Sequence, residues 1–528
     1  MRAVAIICIC GLAACSVGPD FTPPKPDVPV GWHDQATAAI SAASNPDSLW
    51  WNRFNDPTLT TLMSRAIADN PNLQQALLRV IISHQSVIAA AAAGLPTVGG
   101  NASYKREQLG LKGILESKGA YSSLDQLAAP INSVEPGLGT ETAEAATGAI
   151  NGLTQPVNLY QYGLSSSWEL DLFGRVRRSV EQAQASAEAQ KEAANDALVM
   201  LESQVGTEYF QLRAAQYLQQ QQQENIRAAQ DSFNLTINRA ERGLDTDIDV
   251  SQARTQLDSK QSQIETYQKQ AQQAIDQINL LAGQQPGTLD ALLSPPAPLP
   301  QIPNLIGIGI PAALARRRPD IRQAEAELHA ATAGVGVAVA SFYPDISLTG
   351  SAGLRATDAG YITRWASLFY SAGPSVSLPI FEGGALIGNL RTARAEQASA
   401  ALNYRSTVLN ALREVEDALV ALRTDQASRD QFATTVQSAG LSYYLANNRY
   451  THGLSSYLQA LDAERALVAA RQQLAQADAL LATDAVTLYT ALGGGWIAAA
   501  DQPPKPQIHA APPPLPAAID GLAAGPDQ

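Results

Sequence analysis

Between Pro344 and Leu354 the chain alternates without a break: Ile346, Leu348, Gly350, Ala352 and Leu354 share one face of an extended chain, and Asp345, Ser347, Thr349 and Ser351 share the other. A period of two predicts a strand. Tyr160, Tyr162, Leu164, Trp168, Leu170 and Leu172 alternate in the same way with Gln161, Gly163, Ser165, Ser167, Glu169 and Asp171. Val98, Ala102 and Tyr104, and then Val376, Leu378 and Ile380, predict two further strands. Each is about ten residues, the length of a tilted strand that crosses a bilayer with lipid on one face and water on the other. A soluble sandwich with one buried face shows the same alternation, so the pattern alone leaves both open.

A second period, of seven, runs through Val250, Leu257, Ile264, Ala271 and Ile278, and again through Ala460, Leu467, Leu474, Leu481 and Leu488. These predict coiled-coil-like helices. The two sets are offset by about 210 positions, and the same offset places Gly163, Gly174, Arg239, Gly243 and Leu244 on Gly373, Gly384, Arg449, Gly453 and Leu454. Nearer the start of each copy, Asn70, Pro71, Gln75 and Ala76 match Arg318, Pro319, Gln323 and Ala324, with Pro96 on Pro344, at an offset of about 248. The chain is therefore read as two internal repeats, each ordered helix, strand, strand, very long helix, tight Gly-Leu turn, helix. The first copy carries roughly 38 extra residues; its Gly-, Ser- and Ala-rich stretch from about Arg106 to Gln155 reads as a long loop. The long helices are expected from about Gly174 to Arg242 and from Gly384 to His452, roughly 100 Å each at about 1.5 Å per residue.

The start of the chain changes the picture from architecture to compartment. Arg2, an apolar run from Ala3 to Cys10, and Leu12 to Ala14 ahead of Cys15 read as a signal peptide with a small-residue cleavage site ending in cysteine. Leu12 to Cys15 resembles the bacterial lipobox, which implies acylation of Cys15; Ser16 rather than Asp after it favours the outer membrane. One acyl chain gives marginal attachment, so a second membrane contact is expected. The resulting organisation is 1–14 signal peptide, 15–50 lipidated extended segment, 51–285 first repeat, 286–310 Pro-rich linker, 311–492 second repeat and 493–528 Pro/Ala-rich tail. Cleavage removes Cys8 and Cys10, leaving no internal disulfide and no cysteine-based metal site. A formal charge of −13 with 6% aromatic residues excludes a general nucleic-acid footprint. No continuous run of 18 apolar residues predicts a transmembrane helix. Crossing a bilayer would then require a closed β-barrel, and four strands cannot close one. Several chains must share it; two, three or four copies would give roughly 8, 12 or 16 strands.

The segments Trp168 to Arg175, Arg316 to Ile321, Phe342 to Pro344, Leu378 to Gly384 and Tyr450 to Leu458 resemble TolC-like outer-membrane factors, in the lipoprotein branch serving RND efflux pumps. The resemblance covers about Trp50 to Leu492. It implies a mainly α fold with a membrane β-barrel portion: a homotrimer in which each chain gives four strands to a shared 12-strand barrel and long helices to a periplasmic α-barrel closed near its tip. The implied function is a passive outer-membrane duct for small molecules, partnered by a periplasmic adaptor and an inner-membrane RND-type pump, with no enzyme activity and no cofactor beyond the covalent lipid on Cys15. Type I protein secretion and a periplasm-spanning lipoprotein without a pore are the alternatives.

Gly243 and Gly453 sit where Gly takes the left-handed turn that ends a helix. By their place in the motif, Leu458 and Asp462 resemble the hydrophobic and acidic rings of the family's periplasmic constriction. They are four apart, hence on one helical face. Without the resemblance they read as an ordinary helix contact and an exposed carboxylate. Gln459 departs from relatives that carry a second acidic residue there. Arg449, Tyr450, Tyr457 and Arg465 are the expected tip network. His33, His84, His329, His452 and His509 form no metal-binding pair, Glu169 and Asp171 read as pore-lining carboxylates, and Arg316 to Arg318 read as a solvated helix start.

Overall fold

The computed structural model describes residues 16–25, 28–33, 40–41, 49–108, 110–300, 306–494 and 496. The signal peptide, Cys15 and nearly all of the tail fall outside the described residues.

In chain order the principal elements are α1 (Pro57–Asp69), α2 (Pro71–Ala92), β1 (Thr97–Glu107), α3 (Leu111–Ser117), α4 (Ala120–Val134), α5 (Leu138–Leu153), β2 (Val157–Glu169), α6 (Arg175–Ala240), α7 (Asp247–Leu281), α8 (Pro319–Ala340), β3 (Asp345–Ala356), β4 (Leu368–Ser377), α9 (Ala385–Thr451) and α10 (Tyr457–Ala491). The described residues form two compact units, one built on 16–19, Ile88–Val180 and Ala333–Thr392, the other on the described residues within Asp20–Val87, Glu181–Thr332 and 393–494.

The first unit is organised by a four-stranded antiparallel sheet in the order β1-β2-β3-β4. Its register puts like with like. Ala102 faces Tyr162, which faces Leu354, which faces Leu368; one step along, Leu164 faces Ala352, which faces Tyr370. The opposite face carries Gln161, Ser165, Ser167, Thr349, Ser351, Ser371 and Ser375. Neither face is covered by another layer of the described chain: β1 is exposed along its whole length, and Val98, Leu164, Tyr370 and Val376 all lie open on the apolar face. Between β2 and β3 the strands approach through Gly163 and Gly353, where a Cβ on Gly163 would lie 2.5 Å from the Ala352 carbonyl oxygen. β4 stops at Ser377, so Leu378 and Ile380 lie beyond it; Pro379 has no N–H for a ladder.

The stretch from Arg106 to Gln155 is not a loop. β1 continues to Glu107, and three helices follow. Gly110, Gly119 and Gly137, each with positive φ, punctuate the helices rather than dissolve them. α4 and α5 then close on each other through small residues: Ala128 is buried, and a Cβ on Gly139 would sit 2.2 Å from the Ala128 carbonyl oxygen. Asn132 clamps the crossing, donating to Thr140 Oγ1 at 2.9 Å and accepting from the Thr140 N–H at 3.2 Å.

The second unit holds the core. Trp50 stacks on Tyr489 with ring centroids 5.5 Å apart, and Gly206 of α6 leaves room for the indole, since a Cβ there would lie 2.7 Å from Trp50 Cη2. The heptad positions Leu257, Ala271, Ile278, Ala460, Leu467, Leu481 and Leu488 are all buried. Fully burying a leucine-sized side chain stabilises by about 1.5–3 kcal/mol, so this seam fastens α7 and α10 into the helical assembly. Asp56 caps α1 by accepting from Thr58 and Leu59, and its other oxygen accepts from Tyr209 of α6. Arg318 is not solvated: it donates to Asp320 at 2.7 and 2.9 Å and to the Ala491 carbonyl at 3.0 Å, and pairs with Glu414 at 2.7 Å.

Candidate constriction at the helix tips

The long helices end in the same way. The Gly243 N–H donates to the Ala240 carbonyl and the Leu244 N–H to the Arg239 carbonyl, both at 2.9 Å, with Gly243 at φ +73°. At the other tip the Gly453 N–H donates to Tyr450 O at 2.9 Å and the Leu454 N–H to Arg449 O at 2.8 Å, with Gly453 at φ +76°. This paired-bond ending needs a left-handed residue, which Gly supplies without a Cβ penalty. The chain then turns into α7 behind a Thr246–Asp249 capping box, and into α10 behind Ser456.

Between the two turns lies a buried cluster of Ala253, Tyr450, Tyr457, Ala460 and Leu461, with Phe233 and Leu235 packed against it. The Tyr450 hydroxyl donates to Asp245 Oδ2 at 2.8 Å and lies 3.1 Å from Thr236 Oγ1. Arg239 grips the same carboxylate from two nitrogens, at 2.9 and 3.3 Å, while its guanidinium lies 4.7 Å from the Tyr450 ring centroid. Burial, with the Asp245 hydrogen bond adding to it and Thr236 opposing, pushes the Tyr450 phenol up to about 12. Burial likewise raises the Tyr457 phenol. The Asp245 hydrogen bond raises Arg239 against its own desolvation. With both phenols and the guanidinium raised, the arrangement suits a static lock.

Of the predicted residues, Tyr450 and Tyr457 come together, their rings 5.6 Å apart. Arg449 does not join them; its side chain is exposed and makes no hydrogen bond or ion pair among the described residues. Its place is taken by Arg239, the residue matching it in the first copy, so the offset of about 210 held the signal. Arg465 reaches across to Gln256 Oε1 at 3.1 and 3.2 Å. Leu458 and Asp462 both point out of the cluster, exposed and one turn apart on α10. Lys260 and Glu464 carry no sequence signature of a site. Deep between α7 and α10 they form a buried ion pair, each side chain less than a tenth exposed. Among the described residues no group of three or more His, Cys, Asp or Glu could hold a metal.

In the sheet-bearing unit, the predicted pore carboxylates serve the strand-to-helix turn. Glu169 pairs with Arg175, and Asp171 accepts from the Arg177 backbone N–H at 2.9 Å and from its Nε at 3.2 Å. Next to this turn runs the start of the described chain: the Val17 N–H donates to Phe173 O at 3.2 Å, and Arg178 Nε donates to Val17 O at 3.2 Å. Gly18 packs on Gly336, where a Cβ would approach Gly336 Cα to 2.6 Å.

A sheet with one apolar and one polar face, both uncovered, joined to paired helices dozens of residues long, is the fold of TolC-like outer-membrane channels. Residues 62–284 and 310–494 match the family described as outer membrane efflux protein, and the chain belongs to that family. It is 32% identical over 491 residues to Nodulation protein T of Rhizobium leguminosarum bv. viciae, covering 92% of each chain. It is 30% identical over 500 residues to the toluene efflux pump outer membrane protein TtgC of Pseudomonas putida, covering 92% of this chain and 93% of that one. Among solved structures, the outer-membrane channel OprN superposes with a TM-score of 0.79 at 31% identity, over 91% of this chain and all of the other. The protein is thus an outer-membrane efflux channel component.

Proposed function

We propose that three copies of this chain share one closed twelve-strand barrel and form a passive duct, loaded by a periplasmic adaptor and an inner-membrane RND-type pump, through which small molecules leave the cell. One observation carries the reading: the four-stranded sheet has an apolar face, a polar face and two unpaired edges, β1 and β4. An open edge in lipid leaves backbone groups unsatisfied at several kcal/mol each, so the edges of neighbouring copies must pair. Water then fills the polar side, which Ser165, Ser167, Thr349 and Ser351 line. The duct needs no cofactor and carries out no chemistry.

The helix tips supply its closure. Leu458 and Asp462 are exposed on one face of α10, and threefold symmetry turns them into an apolar ring beside a carboxylate ring. Apolar rings gate by dewetting, and carboxylate rings favour cations. The Tyr450–Asp245–Arg239 lock holds that face in place. Cys15 carries the lipid anchor; the seating of Val17 and Gly18 at the strand-to-helix turn supports it, because that turn marks the membrane's edge. Acyl incorporation should be lost in Cys15→Ser, and persistent labelling would refute the anchor.

Single-channel recording in planar bilayers tests the duct. The purified protein should give small, brief openings, and Leu458→Ala with Asp462→Ala should give larger and longer ones. No conductance from either protein would sink the proposal.

A further inference from the structure

The polar face of the sheet carries one charge that nothing in the sheet balances. Among the described residues that face holds five charged side chains: Lys105, Glu107, Glu169, Asp345 and Arg355. Glu169 and Asp345, at the strand ends that join the helices, share Arg175. Lys105 and Glu107 stand two residues apart on one face of β1, just before the helical insert α3–α5, and offset each other. Arg355, one residue from the far end of β3, is exposed and has no ion-pair partner among the described residues.

The neighbouring rows explain how its head is held. Gly163 of β2 pairs with Gly353 of β3, and Phe369 of β4 lies opposite Gly353 on the same face. Two adjacent residues without side chains leave bare backbone for the Phe369 ring; a Cβ on Gly353 would lie 3.1 Å from the ring's Cε1. The Arg355 guanidinium then lies 4.6 Å from that ring's centroid, and its Nε donates to Gln161 Oε1 at 3.0 Å. The ring face attracts the cation and the amide orients the fork. Nη1 and Nη2 make no hydrogen bond among the described residues, which leaves two donors of a planar fork open on the polar side. Such a fork matches carboxylate and phosphate oxygens.

We infer that Arg355 is an ion-selecting residue of the barrel: three copies set three fixed guanidinium groups at one level of the bore, where they favour anionic solutes, those bearing a carboxylate or phosphate, over cations. The inference rests on the shared-barrel reading, which turns the polar face towards water. Rings of cationic side chains bias a pore towards anions. This bias is opposite in sign to that of the Asp462 carboxylates, so removing one set of charges exposes the other.

Full-length protein carrying Leu458→Ala and Asp462→Ala supplies the parent duct, open and without the tip carboxylates. Its reversal potential is read in planar bilayers under a potassium chloride gradient. Near about 0.01 M salt, where the Debye length is about 30 Å, adding Arg355→Gln should lower the chloride-to-potassium permeability ratio at least about twofold. Arg355→Lys, which keeps the charge, should hold the parent's ratio. Near about 1 M salt, where the Debye length is about 3 Å, the difference between parent and Arg355→Gln should vanish. Gln161→Glu reaches the same end without touching the arginine, by placing a carboxylate beside it, and serves should Arg355→Gln not assemble. A conducting Arg355→Gln or Gln161→Glu channel with the parent's reversal potential would overturn the selecting role and leave the duct standing. No conductance from the parent would overturn the duct and the selecting role with it. A shift that persists at high salt, or that Arg355→Lys reproduces in full, would overturn charge as its cause.

Discussion

Removing the carboxylate of Glu464 asks how firmly α7 is held to α10. Lys260 and Glu464 are paired with side chains 4% and 9% exposed, and the Lys260 carbonyl is occupied separately, accepting from Gln222 Nε2 at 2.7 Å. Glu464→Ala leaves an ammonium inside the helix packing with no counter-charge. Breaking a buried pair from one side costs about 3–5 kcal/mol. At about 1.4 kcal/mol per decade, that is roughly two to three and a half orders of magnitude in the local opening equilibrium. Amide hydrogen exchange of the protein in lipid nanodiscs, read by mass spectrometry, should show this acceleration in α7 around Lys260 and in α10 around Glu464, with the strands unchanged. Lys260→Met combined with Glu464→Leu fills the same space with apolar atoms, and exchange should return to within about tenfold of wild type, since such replacements are often neutral or stabilising. Unchanged exchange in Glu464→Ala, or a double variant as open as the single one, would refute the reasoning.

Gly206→Ala drives a methyl against Trp50 and Val486, at 2.7 and 3.3 Å. Overpacking of about 1–3 kcal/mol outweighs the helix gain of about 1, so the midpoint of thermal unfolding followed by tryptophan fluorescence should fall, and a rise would contradict the contact. Gly453→Ala meets nothing within 4 Å but forces Ala to φ +76°, a strain of about 1–2 kcal/mol. Faster exchange confined to the tip turn is its expected sign, and an unaltered turn would disprove it. Burial, reinforced by the hydrogen bond and like charge of Asp425, pushes the Asp484 carboxyl up to about 7. A raised carboxyl contributes stability that is complete below its ordinary value near 4 and is lost as pH rises through 7. Unfolding midpoints should therefore drop between pH 5 and 8 in wild type and drop less in Asp484→Asn; parallel curves would remove Asp484 from the account.

Much of this fold is written in two periods. A strand's period of two leaves Ile346, Leu348, Gly350, Ala352 and Leu354 on one face, and the register then keeps that face together across all four strands. The heptads declare α7 and α10, since Leu257, Ile278, Leu467 and Leu488 must find a common seam. The insert defied the same reading because its glycines do opposite work by position: Gly110, Gly119 and Gly137 start helices, whereas Gly139 sits inside one and allows close approach. At the tip, Tyr450 and Tyr457 were legible as aromatics in a turn motif. Asp245 and Lys260 were not, because a charged residue on a long polar helix is solvated by default. Only the antiparallel return of the chain decides which charges are enclosed.

The uncovered sheet bears on how the protein is made. The helical unit can complete its own core, with Trp50, Tyr489 and the heptad seam enclosed by one chain. The strands have no such option, since a lone copy travelling through the periplasm would present Leu164, Tyr370 and Val376 to water. If copies share one barrel as proposed, biogenesis has an imposed order: the helices can mature first, and the strands complete their pairing only when neighbouring copies and lipid are present. On that proposal, assembly and folding are one event for the sheet.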